Sequence, residues 1–145
     1  MFVHATSVAI KTGRRWRGVL LRGPSGSGKS DLALRLIDGG ARLIADDQTH
    51  LAKKGRALIA SPPPVLAGMI EVRGIGIVKL PRSRLLAAAP LALLVDLARA
   101  DAIERMPEPA YEIVQDVELS RLVLSPFEVS AVAKLRLALA RVAAA

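Results

Sequence analysis

The sequence predicts a mixed α/β or α+β domain, and three observations predict it. Apolar, β-prone segments recur between helical patterns along the chain. A glycine-rich loop joins an apolar strand to a helix. The length of 145 residues, 52% of them hydrophobic, suits one domain spanning residues 1–145, with a core that needs no staple.

The elements follow in order. Phe2–Ile10 reads as a strand, Lys11–Arg15 as a turn around Gly13, and Trp16–Arg22 as the returning strand. Gly23–Gly28 is the loop. Lys29–Asp38 carries Leu32, Leu34, Leu36 and Ile37 among helix formers and stops at Gly39-Gly40. Ala41–Ala45 is a short strand running into Asp46-Asp47. Gln48–Lys53 and Arg56–Ala60 flank a turn at Lys54-Gly55. Ser61–Pro64 must be extended loop, because its prolines fix φ and donate no backbone hydrogen bond. Met69–Leu80 is β-rich, with Gly74 and Gly76 marking a bulge or a close backbone approach to a ligand. Leu91–Leu97 and Val117–Leu124 read as strands, separated by a loop at Pro107-Glu108-Pro109. Ser125-Pro126-Phe127-Glu128 has the form of a capping box with proline at the first helical position, so the last helix should open there. Its buried stripe would be Val129, Val132, Leu135, Leu139 and Val142.

Composition removes several functions. Without cysteine there is no disulfide framework, thiol nucleophile or Cys-type zinc site, and two histidines make no His-rich metal cluster. Aromatic residues are 3% of the chain, too few for a platform that binds single-stranded nucleic acid. The net charge of +8 favours anionic partners without choosing among them. The basic run Lys11–Arg17 reads as a solvated hairpin turn rather than a nucleic-acid site, since charge alone attracts without specificity. No apolar run has the length of a membrane span, and the first residues lack the charge order of a secretory signal. The expected location is the cytoplasm.

The chemistry is carried by Gly-Pro-Ser-Gly-Ser-Gly-Lys-Ser at 23–30, the Walker A pattern. A polyphosphate needs converging donors and no obstructing side chains. Gly23, Gly26 and Gly28 allow that backbone path, with Ser25 and Ser27 contributing N–H groups. Lys29 would reach the β- and γ-phosphates, Ser30 would hold Mg²⁺, and the helix would direct its N-terminus at the anion. The metal also needs a carboxylate. Asp46-Asp47 and Asp96 each end an apolar strand, and either could serve. The pair is chemically richer, with one carboxylate near metal and one poised for a proton. Glu71-Val72-Arg73-Gly74-Ile75-Gly76 places a carboxylate and a guanidinium two apart in a strand, hence on one face, where they could meet metal and phosphate.

Together, Gly23–Ser30, Arg42–Asp47 and Ile70–Ile77 resemble the bacterial HPr kinase/phosphorylase family. The likeness is good over residues 1–80 and fades beyond. It implies a P-loop fold similar to that of phosphoenolpyruvate carboxykinase, a mixed sheet with flanking helices, assembled as a homo-oligomer, typically a hexamer. It implies ATP and Mg²⁺ as cofactors. The reaction would phosphorylate a regulatory serine on HPr, the carrier protein of the phosphotransferase system, or on a paralogue, and many members reverse it with inorganic phosphate. Asp47 would be the general base, Lys29 the P-loop lysine, and Ser30 and Glu71, beside Asp46, the metal ligands. His4 and Arg105 look like the family's active-site histidine and arginine, and Arg73, Gly74 and Gly76 belong to its signature near the substrate. Walker A begins at residue 23, so the N-terminal domain of long members is not expected. The family's arginine- and glycine-rich segment tied to dephosphorylation is replaced here by Leu124–Val129, which weighs against the reverse reaction. Two other readings remain: a P-loop kinase of a small metabolite using Asp96, and a nucleotide-sensing module without transfer.

Overall fold

Strand alternation decides which way the sheet faces. The computed structural model describes residues 1–144. In β1 (Phe2–Val3), β2 (Ala5–Thr12) and β3 (Arg15–Arg22), successive side chains point to opposite faces. Val8, Ile10, Val19 and Leu21 enter one core and Ala9 and Leu20 the other. The chain continues through α1 (Lys29–Asp38), β4 (Arg42–Ala45), β5 (Thr49–Lys54), β6 (Ala57–Ser61), β7 (Met69–Val72), β8 (Gly76–Lys79) and β9 (Ala89–Leu97). It ends with β10 (Ala110–Val114), β11 (Val117–Leu124) and α2 (Ala131–Ala144).

The main sheet has the order β4-β2-β3-β9, continued from β9 by β11 and β10. β9 runs parallel to both β3 and β11, and its Leu91–Val95 run is buried on both faces, as a central parallel strand must be. Both helices lie on one face, where Leu32 and Leu36 of α1 and Leu135 and Leu139 of α2 are fully buried against Val8, Leu21, Leu93 and Val95. Truncating one such leucine to alanine costs about 2–5 kcal/mol. The opposite face is covered not by a helix but by β5 and β6, which bring Leu51, Leu58 and Ala60 onto Leu20, Ile44 and Leu94. β6 joins the main sheet at Ala89 and Pro90, where β9 starts. Among the described residues no helix is long and apolar enough to cross a membrane.

Two antiparallel steps place the site. β2 is antiparallel to β3 and β4 is antiparallel to β2, so β3 and β4 end at the same edge. The start of β2 lies there too.

Three expectations are corrected. The last helix opens at Ala131, not at Ser125, because Pro126 and Phe127 are drawn onto the glycine-rich loop and Arg35 of α1 donates to the Pro126 carbonyl. Val129 therefore sits outside the helix, fully exposed, while Leu135 and Leu139 form the buried stripe with Val132 and Val142 packed beside them. Second, the β-rich segment is a hairpin, β7 paired with β8. A Cβ on Gly74 or Gly76 would meet no atom of the chain within 4 Å, so packing within the protein does not select these glycines. Their φ angles of +87° and +118° do. Third, Arg73 lies in the hairpin turn beyond β7, so it does not share a strand face with Glu71.

Where the ends of β3 and β9 meet the middle of β10 and β11, one charge network replaces apolar packing. Arg22 Nε donates to Asp96 Oδ1 at 2.8 Å, and its two terminal nitrogens donate to Glu112 at 2.6 and 2.7 Å. Arg121 Nε donates to Asp96 Oδ2 at 2.5 Å. Glu112 is held below the ordinary carboxylate range by its hydrogen bonds from Arg22. Burial alone would raise Asp96, but hydrogen bonds from Arg22 and Arg121 outweigh it and hold that carboxyl low as well. Hydrogen bonding to Glu112 likewise raises Arg22.

Since both carboxyls titrate lower when folded, the unfolded chain takes up protons first as pH falls. The network's contribution is complete above the ordinary carboxylate pKa of about 4 and is lost as pH drops through the lowered folded values. Urea denaturation midpoints of the native chain should fall steeply below about pH 4. The Asp96→Asn, Glu112→Gln double variant should start from a lower midpoint near neutrality and show a flatter acid limb.

Candidate active site

The loop between β3 and α1 wraps around its own lysine. Lys29 is 5% exposed, and its Nζ donates to the carbonyls of Gly23 at 2.6 Å and Pro24 at 3.0 Å. An ammonium has three protons, so one remains for an anion. Gly26 and Gly28 have φ of +82° and +102°, the conformation that turns successive N–H groups into one concavity. Ser27 Oγ is buried and has no hydrogen-bond partner among the described residues. Gly23 lies against it: a Cβ at position 23 would stand 2.5 Å from Ser27 Oγ. Ser25 is exposed at the loop tip. An orphaned hydroxyl and a backbone nest around a buried lysine fit an anion with several oxygens.

The competing aspartates differ in their contacts. Ser30 Oγ donates to Asp46 Oδ1 at 2.7 Å. Asp96 is bound to Arg22 and Arg121 instead. Asp46 also accepts from Thr6 Oγ1 at 3.0 Å and, through Oδ2, from the Glu71 N–H at 2.9 Å. Asp47 follows with φ +66°, a left-handed conformation that aspartate tolerates better than most residues. Its N–H donates to Thr6 Oγ1 at 3.0 Å, and its carboxylate lies 2.7 Å from His4 Nε2. The kink thus sends Asp46 toward the loop and Asp47 toward His4. The Asp47 carboxylate is 67% exposed, so a substrate can reach it.

His4, Ser30, Asp46, Asp47 and the Glu71 backbone therefore meet at one edge with the loop. Glu71 enters through its N–H, and among the described residues its carboxylate makes no hydrogen bond or ion pair. Arg73 is exposed on the hairpin turn, with Gly74 and Gly76 shaping that turn. Arg105 is exposed, and no hydrogen bond or ion pair joins it to the cluster among the described residues. Thr6 escapes sequence reading, although it is fully buried and bridges both aspartates. Its role depends on the β2–β4 register, which sets Ser7 opposite Ala45 and so Thr6 near Asp46. The sequence signal that could have found it is its place two residues after His4.

Comparison with known proteins points one way. The family model described as HPr Serine kinase C-terminal domain matches residues 3–124. An HPr kinase/phosphorylase of Clostridium tetani is 50% identical over 64 residues, which are 44% of this chain and 21% of that protein. One of Bordetella petrii is 38% identical over 106 residues, 69% of this chain and 34% of that protein. The chain thus spans about a fifth to a third of the length of these curated relatives. The structure of the Hpr(Ser) kinase/phosphatase from Coxiella burnetii superposes with a TM-score of 0.82 at 26% identity, covering 97% of this chain and 88% of that one.

Thr6→Val should destabilise the fold by about 1–3 kcal/mol, because it removes a donor to Asp46 and the acceptor of the Asp47 N–H. Thr6→Ser should restore most of the loss. Chemical denaturation of the three proteins in parallel measures it.

Proposed function

The chain belongs to the HPr serine kinase C-terminal domain family, and from that premise we propose that it is an ATP- and Mg²⁺-dependent protein-serine kinase acting on the carrier HPr or a paralogue. The relatives named above are HPr kinases, which supports the substrate class. The observation that carries the reading is the pair of adjacent carboxylates with separate partners. Asp46 faces Ser30 of the loop at 2.7 Å, and Asp47 faces His4 at 2.7 Å.

The donor set fits the cofactors. Ser30 Oγ and Asp46 offer hard oxygens at the mouth of the loop, and Glu71, whose N–H touches Asp46, carries an exposed carboxylate nearby. Among the described residues no group of three or more acidic, histidine or cysteine side chains could hold a metal. Mg²⁺ asks for no such cage, since beside a nucleotide it takes one or two carboxylates, phosphate oxygens and water. When bound it neutralises charge on the transferring phosphoryl group.

The chain's own residues divide the remaining work. The Ser27 N–H is already donated to the Pro24 carbonyl, so the remaining N–H groups of the loop and the free proton of Lys29 Nζ hold the β- and γ-phosphates in place. Asp47 accepts the proton of the attacking serine hydroxyl. The new bond joins that oxygen to the γ-phosphorus as the bond to the β-bridging oxygen breaks, releasing ADP. His4 orients the Asp47 carboxylate. Arg73 and Arg105 are assigned to phosphate charge by the family likeness alone. A cytoplasmic location, a homo-oligomer and the phosphate-driven reverse reaction belong to the same proposal; the names of the relatives support the last, and the changed segment Leu124–Val129 weighs against it.

Transfer of labelled phosphate from ATP to purified HPr tests this reading. The native chain should label a serine, and Asp47→Asn should lower the rate by about 10²–10⁴-fold with ATP binding intact. Transfer undiminished in Asp47→Asn would remove Asp47 as base. Absence of transfer in a preparation that binds Mg·ATP would leave a P-loop kinase of a small metabolite or a nucleotide-sensing module.

A further inference from the structure

A nucleoside triphosphate held by residues 23–30 must seat its base within reach of the loop. Clefts of about 690 and about 410 Å³ exist in the molecule, but neither is lined by any residue of Gly23–Ser30. The surface next to the loop, by contrast, is within reach of such a base. We propose that the ring of Phe127 is the platform on which it stacks. This rests on the reading of Gly23–Ser30 as a triphosphate site.

Phe127 is 69% exposed yet fixed in place. The Pro126 carbonyl accepts from Arg35 of α1, Ser125 is buried, and Glu128 pairs with Lys134 of α2. The ring lies on the loop backbone one residue before Lys29. A Cβ built on Gly28 would stand 2.9 Å from Phe127 Cζ and 3.1 Å from Pro126 Cγ, and Gly28 φ is +102°. Glycine at 28 is thus required twice, by its backbone conformation and by the ring beside it.

The other aromatic residues are engaged elsewhere. Phe2 packs on His50 with ring centroids 4.9 Å apart, Trp16 lies under the Arg42 guanidinium at 4.6 Å, and Tyr111 lines the larger cleft. Phe127 has no aromatic or cationic partner among the described residues. A rigid ring free on one side at the edge of a phosphate nest suits the flat face of a base. A phenyl ring offers no hydrogen bond, so it holds every base by its π-face and reads none. The site should therefore discriminate little between ATP and GTP.

Calorimetric titration of Mg·ATP, Mg·GTP and Mg·tripolyphosphate into the native chain, Phe127→Ala and Phe127→Trp tests this. Phe127→Ala should weaken ATP and GTP alike by roughly 5- to 30-fold and leave tripolyphosphate within about twofold, while Phe127→Trp keeps native affinity for all three. Native ATP binding by Phe127→Ala would overturn the proposal. So would equal weakening of all three ligands, which would mean a distorted loop. Unchanged nucleotide binding with a raised KM for the carrier would assign the ring to protein docking and overturn it as well. If the native chain bound neither tripolyphosphate nor nucleotide, the reading of the loop itself would fall, and this inference with it.

Discussion

The Asp46 carboxylate is the constraint on which the site depends. It accepts three hydrogen bonds from three separate stretches of chain: Thr6 in β2, Ser30 at the start of α1, and the Glu71 backbone in β7. None of these stretches is adjacent to another in sequence, yet one carboxylate fixes their distances. Its own position is set by β4, whose Leu43 is buried in one core and whose Ile44 and Ala45 are buried in the other. Core packing thereby sets a geometry at this edge that no local motif could hold.

Much of this was legible in the sequence because the signals were local. The helix Lys29–Asp38 follows from leucine spacing, glycine punctuation and the loop before it. The adjacent carboxylates at the end of an apolar strand and the histidine ahead of β2 are also local. What sequence could not supply was register. Thr6 is an ordinary strand threonine until β2 and β4 are aligned. β10 escapes because its exposed positions, Tyr111 and Ile113, are its apolar ones, so its alternation advertises no buried face. The capping-box pattern at 125–128 misleads because contacts across the fold outweigh local preference there: Pro126 and Phe127 gain partners on α1 and the loop that an earlier helix would forgo.

Two kinds of polar assembly sit close together at this edge and behave differently. The Arg22, Asp96, Glu112 and Arg121 network satisfies its own charges and is spent on joining β3, β9, β10 and β11. The cluster of His4, Asp47 and Lys29 keeps capacity in hand, in an exposed carboxylate and an unfilled donor. Arg22 and Gly23 are neighbours, so the saturated network anchors the residue from which the loop departs. A rigid root beneath a loop with free valences is what a site for transient charge requires.

The β2–β3 hairpin has a use apart from chemistry. It reverses at Gly13 and Arg14, with Gly13 at φ +63° and open space where a Cβ would go. Each strand is eight residues long, so the tip stands about 25 Å from the edge that carries His4 and the loop. Sequence added at such a turn disturbs neither the strand pairing nor the distant carboxylates. It is the natural place to graft a fluorescent reporter or an affinity handle onto this chain without crowding its chemistry.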